Sequence, residues 1–211
     1  MNDQYCNRKH VKIVLSLFFL FFFLVACSND ARIALSDNWR IAKGDNADYR
    51  LPEYDHASWH TISLPGLLDS QKKRQAIWLR KEVSIPDEFI GKDIALFLGK
   101  VWDVEQTYFN GVKIGSSGKE YPDFFSEWNF FRYYYIPPDI IKRGEPNIIA
   151  VRVFTNQFAL WNGTPFIAKL SEVKKSAFFH RLGAEYMPLA FGILTLLIAF
   201  ASLVQFVLDR T

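Results

Sequence analysis

The chain has 211 residues, a length typical of one ordinary domain, and its 25 basic and 22 acidic residues give a net charge of +3. Half of the residues are hydrophobic and 17% are aromatic, which excludes a disordered or collagen-like chain. The basic residues form no block that follows a phosphate backbone, so we expect no nucleic-acid partner.

The first apolar run has the layout of a secretory signal sequence. Only Ser16 interrupts the aliphatic residues and phenylalanines of 13–26, and three basic residues precede them: Arg8, Lys9 and Lys12. The run ends Leu24-Val25-Ala26-Cys27-Ser28, which resembles a bacterial lipobox, in which the cysteine takes a lipid before cleavage. We predict a signal sequence at residues 1–27 and lipidation of Cys27. The alternative is an uncleaved anchor helix with an incidental cysteine.

The second apolar run extends from Met187 to Leu208, and Gln205 is its strongly polar side chain. About 20 apolar residues, at about 1.5 Å each, span the hydrocarbon core of a bilayer. Buried helices of soluble domains are seldom apolar on every face over this length. We therefore predict a transmembrane helix at residues 186–208.

These two segments predict a topology. Basic residues ahead of the signal sequence keep the N-terminus inside, so the chain after Cys27 is expected to cross the membrane. Residues 28–183 then form a domain on the periplasmic or extracellular side of a bacterial membrane, held by a single C-terminal span. Residues 209–211 are left as a truncated cytoplasmic end.

Between the two runs, short strand signals are frequent and helix periodicity is scarce. Apolar and polar residues alternate in part over 76–85, and this strand pattern ends at Pro86. Residues 104–109 lead into Asn110-Gly111, a strong signal for a type I′ hairpin. Further strands are predicted at 93–98, 112–114, 130–136, 147–154 and 166–170. Strands at this spacing, separated by Gly and Pro turns, predict an all-β sandwich or jelly roll.

Several short motifs in a fixed order extend this interpretation. They are Leu64-Pro65-Gly66, Trp78 to Pro86, Ala95 to Gly99, Tyr108 to Gly115, Ile136-Pro137 and Asn147 to Val153. The series resembles the N-terminal sugar-binding domain of family 2 glycoside hydrolases, over most of residues 39–173. The resemblance implies a galactose-binding-like β jelly roll.

The same resemblance argues against catalysis. In those hydrolases the catalytic carboxylates come from a separate TIM barrel, and hydrolysis needs two carboxyl groups about 5 to 10 Å apart. Asp103 and Glu105, two residues apart on one strand, form a candidate pair, but a solvated strand face or a cleft rim explains them better. We predict no catalytic residues.

No metal or cofactor is predicted either. The histidines stand in no nucleophile motif, and His56 with His60 lies among turn residues, so polar contacts are favoured over zinc binding. Both cysteines, Cys6 and Cys27, fall in the predicted signal sequence, which leaves none in the exported domain. The sequence does not identify a structural Ca²⁺.

Sugar sites combine aromatic rings with planar polar side chains, which selects three pairs of neighbouring residues. The candidate ligand-binding residues are Trp161, Asn162, Trp102, Asp103, Trp128 and Asn129. Trp161-Asn162-Gly163 matches a Gly-containing stretch beside the sugar subsite of the hydrolases, but Thr164-Pro165-Phe166 replaces the usual Ile and Arg that follow it. Core packing is the alternative for each tryptophan.

An exported jelly roll followed by a membrane helix also resembles the sensory portion of bacterial seven-transmembrane receptors with diverse intracellular signalling modules. The sequence therefore predicts a non-catalytic carbohydrate-binding module anchored to the membrane, a receptor or sensor ectodomain. Its expected partners are a carbohydrate, membrane lipid and a membrane signalling protein. Two alternatives stay open: the front of a family 2 glycosidase, and a structural module that binds protein.

Overall fold

The computed structural model of the chain describes residues 31–69 and 74–209. Within these ranges the chain forms the strands β1 (Ile33–Ala34), β2 (Trp39–Lys43), β3 (His60–Ile62), β4 (Gly66–Asp69), β5 (Gln75–Val83), β6 (Ile94–Val101), β7 (Val104–Phe109), β8 (Val112–Ser117), β9 (Arg132–Ile136), β10 (Asn147–Thr155), β11 (Ala159–Asn162) and β12 (Phe166–Lys169). Helix α1 (Leu170–Arg181), a π-helical turn (Leu182–Tyr186) and helix α2 (Met187–Leu208) follow. The predicted signal sequence and Cys27 lie outside the described residues.

The strands form two antiparallel sheets. Sheet I has the order β1-β12-β6-β11-β4, with β9 also paired to β6, and sheet II has the order β3-β2-β5-β10-β7-β8. Strands that neighbour each other in space come from distant parts of the sequence, as in β5 with β10, where Val83 pairs with Asn147. This is a β sandwich, which confirms the all-β prediction at that level.

The main hydrophobic core lies between the two sheets. On the central strands every second side chain points into it: Ile77 and Leu79 on β5, and Ile149, Val151 and Val153 on β10. Aliphatic and β-branched side chains in this alternating pattern fit a pleated surface with one face buried. The other side chains of β5 and β10 therefore lie on the outer face of sheet II.

The predicted hairpin joins β7 to β8. Asn110 and Gly111 have φ values of 47° and 82°, the left-handed conformation that a type I′ turn requires. Asn110 also ties this turn to β10, because its Nδ2 donates to Oδ1 of Asn147 at 2.7 Å and its Oδ1 accepts from the Ile148 N–H at 2.8 Å.

The outer face of sheet I is covered by α1. Val173 and Ala177 are buried against Ala95, Phe97 and other apolar residues of β6 and β12. The sequence predicts no helix before residue 186, yet α1 begins at Leu170. Only two side chains of α1 are buried, so its apolar stripe is too narrow to give a strong helical pattern.

One continuous helix, Leu170–Leu208, contains α1, the π-helical turn and α2. It is long and apolar enough to cross a bilayer by length and composition, and its most apolar window is wholly exposed in the structure. A soluble domain rarely leaves so large an apolar surface uncovered.

Candidate functional site

The turn between β6 and β7 gathers most of the predicted ligand-binding residues. The ring of Trp102 lies 4.8 Å from that of Trp128 and 4.7 Å from that of Phe158. Trp128 is 45% exposed, so this cluster lies at the surface. The Trp102–Asp103 peptide bond is cis.

Asp103 fastens two loops to this turn. Its Oδ1 accepts from the Ser126 hydroxyl at 2.9 Å, and its Oδ2 accepts from the Asn156 N–H at 3.1 Å. Both carboxylate oxygens are therefore engaged in holding the loop before β9 and the loop after β10.

Two further polar residues lie nearby. Asn129 accepts from Lys100 Nζ at 2.7 Å, and Asn162 pairs with Lys100 across β11 and β6, with its side chain exposed. We name the surface aromatic residues at this end of the sandwich the aromatic edge: Trp102, Tyr121, Phe125, Trp128, Phe130 and Phe158. Five of the six predicted residues thus lie at or beside one edge.

Trp161 requires a correction. It is 1% exposed, its ring packs 5.6 Å from that of Trp39, and its Nε1 donates to the Leu98 carbonyl at 2.7 Å. The hydrogen bond satisfies the indole N–H inside the core, and the ring has no free face for a sugar. Trp161 therefore packs in the core, which was the alternative to a ligand-binding role.

The two residues of the candidate carboxylate pair, Asp103 and Glu105, lie in different environments. Glu105 is fully buried between the sheets, where it accepts hydrogen bonds from Tyr134 and Thr107 and lies 3.5 Å from Arg132. Burial raises the pKa of Glu105, and these partners oppose that shift. Since Glu105 faces the core, these two carboxylates do not flank a common cleft.

Sequence reasoning missed a second site, on the outer face of sheet II. A cleft of about 300 Å³ opens there, which we name the outer cleft. It is lined chiefly by Asp45, Trp78, Gln106, Tyr108, Glu120 and Arg152. β-pairing places Arg152 directly opposite Trp78 on one side and Gln106 on the other, so three neighbouring strands build its floor.

Arg152 is the centre of the outer cleft. Its Nε and Nη2 donate to the two carboxylate oxygens of Asp45 at 2.6 and 2.7 Å, and its Nη1 and Nη2 donate to Glu120. The side chain of Arg152 is 10% exposed, while those of Asp45 and Glu120 are 58% and 30% exposed. The guanidinium is thus enclosed, and the carboxylates form the rim.

The ion pair between Asp45 and Arg152 determines the charge state of both side chains. Hydrogen bonds from Arg152 lower the pKa of Asp45 against the opposing effect of burial. The hydrogen bond to Asp45, followed by those to Glu120, raises the pKa of Arg152. Asp45 and Arg152 therefore remain charged near neutral pH.

Trp78 and Tyr108 form the apolar part of the floor. Their rings stack at 5.8 Å, and the Tyr108 hydroxyl donates to Gln106 Oε1 at 2.7 Å. The buried Nε1 of Trp78 has no partner at hydrogen-bond distance, although it lies near enough to Asp45 to help lower the pKa of that carboxyl.

A neighbouring arginine supports the segment that borders the outer cleft. Arg80, two residues after Trp78 on β5, donates to the carbonyls of Tyr49, Leu51 and Tyr54 and to Nδ1 of His56. Burial lowers the pKa of Arg80, and hydrogen bonds to neutral groups replace its lost water. The loop after β2 is thereby held on sheet II, next to Asp45.

The arrangement is suited to binding and poorly suited to acid catalysis. A general acid for glycoside hydrolysis needs a raised pKa, whereas that of Asp45 is lowered. In the described part of the chain, no three His, Cys, Asp or Glu side chains gather as a metal site. His56 takes part in the Arg80 contacts, while His60 is exposed on β3.

Comparisons with known proteins relate the sandwich to glycoside hydrolases. No family model matches the chain. A β-glucuronidase of Formosa agariphila is 23% identical over 176 residues, which cover 72% of this chain and 17% of that protein. The chain thus spans about a sixth of the curated relative that it matches.

Solved structures agree on the fold. A β-glucuronidase of Bacteroides uniformis matches with a TM-score of 0.56 at 18% identity, over 66% of this chain and 18% of that one. A β-glycosidase of Bacteroides vulgatus gives 0.54 at 15% identity, over 65% and 20% of the two chains. A β-glucuronidase from glycoside hydrolase family 2 gives 0.53 at 20% identity, over 67% and 18%. The sandwich is therefore similar to one domain-sized part of these enzymes.

Proposed function

We propose that this chain is a non-catalytic carbohydrate-binding module, anchored to a membrane by α2, which binds a neutral saccharide in the outer cleft. The outer cleft, with charged acceptors above an aromatic floor, is the observation that carries this proposal. The similarity to part of family 2 glycoside hydrolases supports a carbohydrate-related role.

The charges of the outer cleft select the class of saccharide. Two carboxylates engage four of the five N–H donors of Arg152, so little of its hydrogen-bonding capacity is left for an anionic ligand. The carboxylate oxygens of Asp45 and Glu120 retain lone pairs that accept from sugar hydroxyls. Arg50 also lines the outer cleft, so two acidic and two basic side chains leave it without a net charge that would attract a uronic acid. Neutral hydroxyl-rich sugars therefore fit better than glucuronides.

The proposal excludes hydrolysis by this chain. The matched part makes up about a sixth of the enzymes that it resembles, and the resemblance to family 2 glycoside hydrolases implies that their catalytic carboxylates lie in a separate barrel. The one rim carboxylate with a resolved shift, Asp45, has a pKa moved away from the value that acid catalysis needs. Binding without turnover is the activity that these groups support.

The helix supports a sensor or receptor ectodomain. The last strand of sheet I ends at Lys169, and the continuous helix begins at the next residue, without a flexible linker. A sandwich joined in this way to a membrane helix fits the receptor layout predicted from the sequence. Lipidation of Cys27 and the exported side of the membrane remain predictions of the same topology.

The similarity to hydrolases favours a second candidate, the front part of a family 2 glycosidase. Sequencing the transcript beyond the codon for Thr211 separates the two. Further apolar segments support the receptor, whereas a TIM barrel would establish the glycosidase.

Saccharide binding is tested with the full chain in lipid nanodiscs, first on an array of neutral and uronic acid glycans and then by calorimetric titration. We expect a saturable neutral glycan, and Glu120→Ala should weaken its binding by about tenfold or more, since hydrogen bonds to charged groups contribute about 1.5 to 3 kcal/mol. Glu88→Ala, an exposed residue outside the outer cleft, is the matched control.

Three results would count against the proposal. Binding restricted to uronic acids would contradict the neutral ligand. An unchanged glycan affinity in Glu120→Ala would contradict the outer cleft as the binding site. A folded chain that binds no glycan would favour the protein-interaction module.

A further inference from the structure

Helix α1 fixes the end of the sandwich from which the membrane helix leaves. At its start, the Leu170 N–H donates to the Asp93 carbonyl, just before β6 begins. At its end, the His180 ring lies 5.7 Å from that of Phe97 and 4.9 Å from that of Phe131. Helix α1 therefore runs along β6 from its first residue toward its last.

The aromatic edge lies at that same end. Strand β9 pairs with β6 so that Arg132 meets Gly99, which places the residues before β9 beside the end of β6. The Lys100 hydrogen bond to Asn129 and its position 4.6 Å from the Phe131 ring fix that segment further. The helix and the aromatic edge thus point out of the sandwich together.

The distances along the chain are short. From His180 to Met187, where α2 begins, seven residues of helix rise about 10 Å. From Phe131, which His180 contacts, three residues lead to Trp128 and span at most about 10 Å. The interfacial layer on each side of the hydrocarbon core is about 5 to 8 Å thick. Trp128 is therefore close enough along the chain to reach the layer at which α2 would enter a bilayer.

The chemistry of this end matches a membrane interface. Tyr121, Phe125, Trp128 and Phe130 are 40 to 55% exposed, an unusual concentration of uncovered rings for a soluble surface. On the helix, Phe178 and Tyr186 are 58% and 50% exposed. Tryptophan and tyrosine are the residues that concentrate at bilayer interfaces.

Basic side chains accompany these rings. Burial, and then the nearby charges of Arg32 and Lys100, lower the pKa of His180 at the end of α1. Arg32 and Lys100 thus bring positive charge to the end of the sandwich from which α2 departs, while Arg181 is paired with Glu185 at 3.5 Å. Anionic lipid headgroups attract such residues by about 1 kcal/mol each near the surface.

We propose that the aromatic edge is a second membrane contact, seated in the headgroup layer of the bilayer that α2 crosses. The inference rests on the membrane anchoring in the proposed function. The sandwich is then held at two places, by the helix and by the aromatic edge. The outer cleft stays open to solvent, because it lies on sheet II, on the opposite face from α1.

Tryptophan fluorescence tests this directly, since all six tryptophans lie in the sandwich and none in α2. We would reconstitute the full chain in nanodiscs whose lipids carry bromine on shallow acyl carbons, which quenches nearby indoles. We expect quenching in the wild type and loss of most of it when both tryptophans of the aromatic edge are replaced, in Trp102→Phe/Trp128→Phe. Trp59→Phe, a residue that packs against the outer face of sheet II, is the matched control and should retain the quenching.

A second variant and a flotation assay make the outcome decisive. Phe130→Trp should increase the quenching. If the chain floats with vesicles but neither indole position is quenched, the membrane contact is wrong while the anchoring holds. If the chain does not float with vesicles, the anchoring itself fails. Trp128 fluorescence that responds to a neutral glycan and not to brominated lipid would return the aromatic edge to sugar binding.

Discussion

Two arginines on neighbouring strands of sheet II show how the environment of a residue sets its role. Arg80 is surrounded by neutral carbonyls and holds a loop, whereas Arg152 is held by two carboxylates at the floor of the outer cleft. Burial lowers the pKa of the first, and hydrogen bonds to carboxylates raise that of the second. A buried charge needs such partners, because its desolvation is costly.

Asp45 should contribute a pH-dependent part of the stability. Its folded-state pKa is lowered, so its contribution is present above the unfolded value of about 3.9 and is lost as the pH falls through the folded value. We expect Asp45→Asn to lower the free energy of unfolding at pH 7 by about 1 kcal/mol or less, since the carboxylate is half exposed. Thermal unfolding between about pH 7 and pH 2 measures this.

In that series the difference between Asp45→Asn and the wild type should vanish at the acid end. Asp87→Asn, an exposed acid outside the outer cleft, should show no difference at either pH. A gap that widens on acidification would contradict the assigned role of Asp45.

Trp161 and Trp128 offer a matched pair of substitutions. Trp161→Ala should lower the free energy of unfolding by about 3 to 5 kcal/mol, because it empties a core position and removes a satisfied indole. Trp128→Ala should stay within about 0.5 kcal/mol, since its ring lies at the surface. Denaturant unfolding of both variants gives the comparison, and similar losses would mean that Trp161 is not a core residue.

At the scale of elements, the docking of α1 depends on a small contact. Val173 and Ala177 are its buried side chains, and they bring the helix onto β6 and β12. A single charge at this contact should therefore release α1 while the sandwich between sheets I and II stays folded.

Val173→Asp tests that dependence. Burying an unpaired carboxylate against apolar residues is unfavourable, so α1 should detach and its backbone amides should exchange with deuterium faster. The amides of β10, in the centre of sheet II, should keep their protection. Lys174→Asp, one position along on the exposed face, should leave both unchanged, and loss of protection in β10 would show that α1 is required by the whole fold.

The long central strands could be predicted from the sequence, whereas most of the short ones, apart from β12, could not. Strands β5, β6, β7 and β10 are runs of six to nine residues that are buried almost throughout, and Asn110-Gly111 marks the hairpin from β7 to β8. By contrast β1, β3, β4 and β11 have two to four residues each, too few to show a period of two. Helix α1 escaped prediction for the same reason, since two buried residues define no face.

The two candidate sites differ in how far the sequence revealed them. Neighbouring aromatic and polar residues at positions 102–103 and 128–129 mark the aromatic edge directly. The outer cleft depends on Asp45 meeting Arg152, which lies 107 residues away in sequence, so no local spacing reports it. Arg152 itself could have indicated the outer cleft, because it is a charged residue within an otherwise mostly aliphatic strand.

At the scale of the whole molecule, the two outer faces of the sandwich serve different purposes. Sheet I carries α1 and leads to α2, and sheet II carries the loop after β2 and the outer cleft. The aromatic edge lies between them, at the end from which the helix departs. The proposed anchoring and the proposed ligand binding thus fall on opposite faces of one core.

The π-helical turn at Leu182–Tyr186 determines how α2 is rotated about its axis relative to α1. A π turn holds one residue more than an α turn, so it displaces the side chains that follow by about 100° around the helix axis. Converting the π turn to an α turn at unchanged chain length would rotate every side chain of α2 by that angle, whereas deleting one residue there would restore α geometry and leave their directions nearly unchanged. The direction in which the side chains of α2 face, relative to the sandwich, is therefore set by five residues that line neither candidate site.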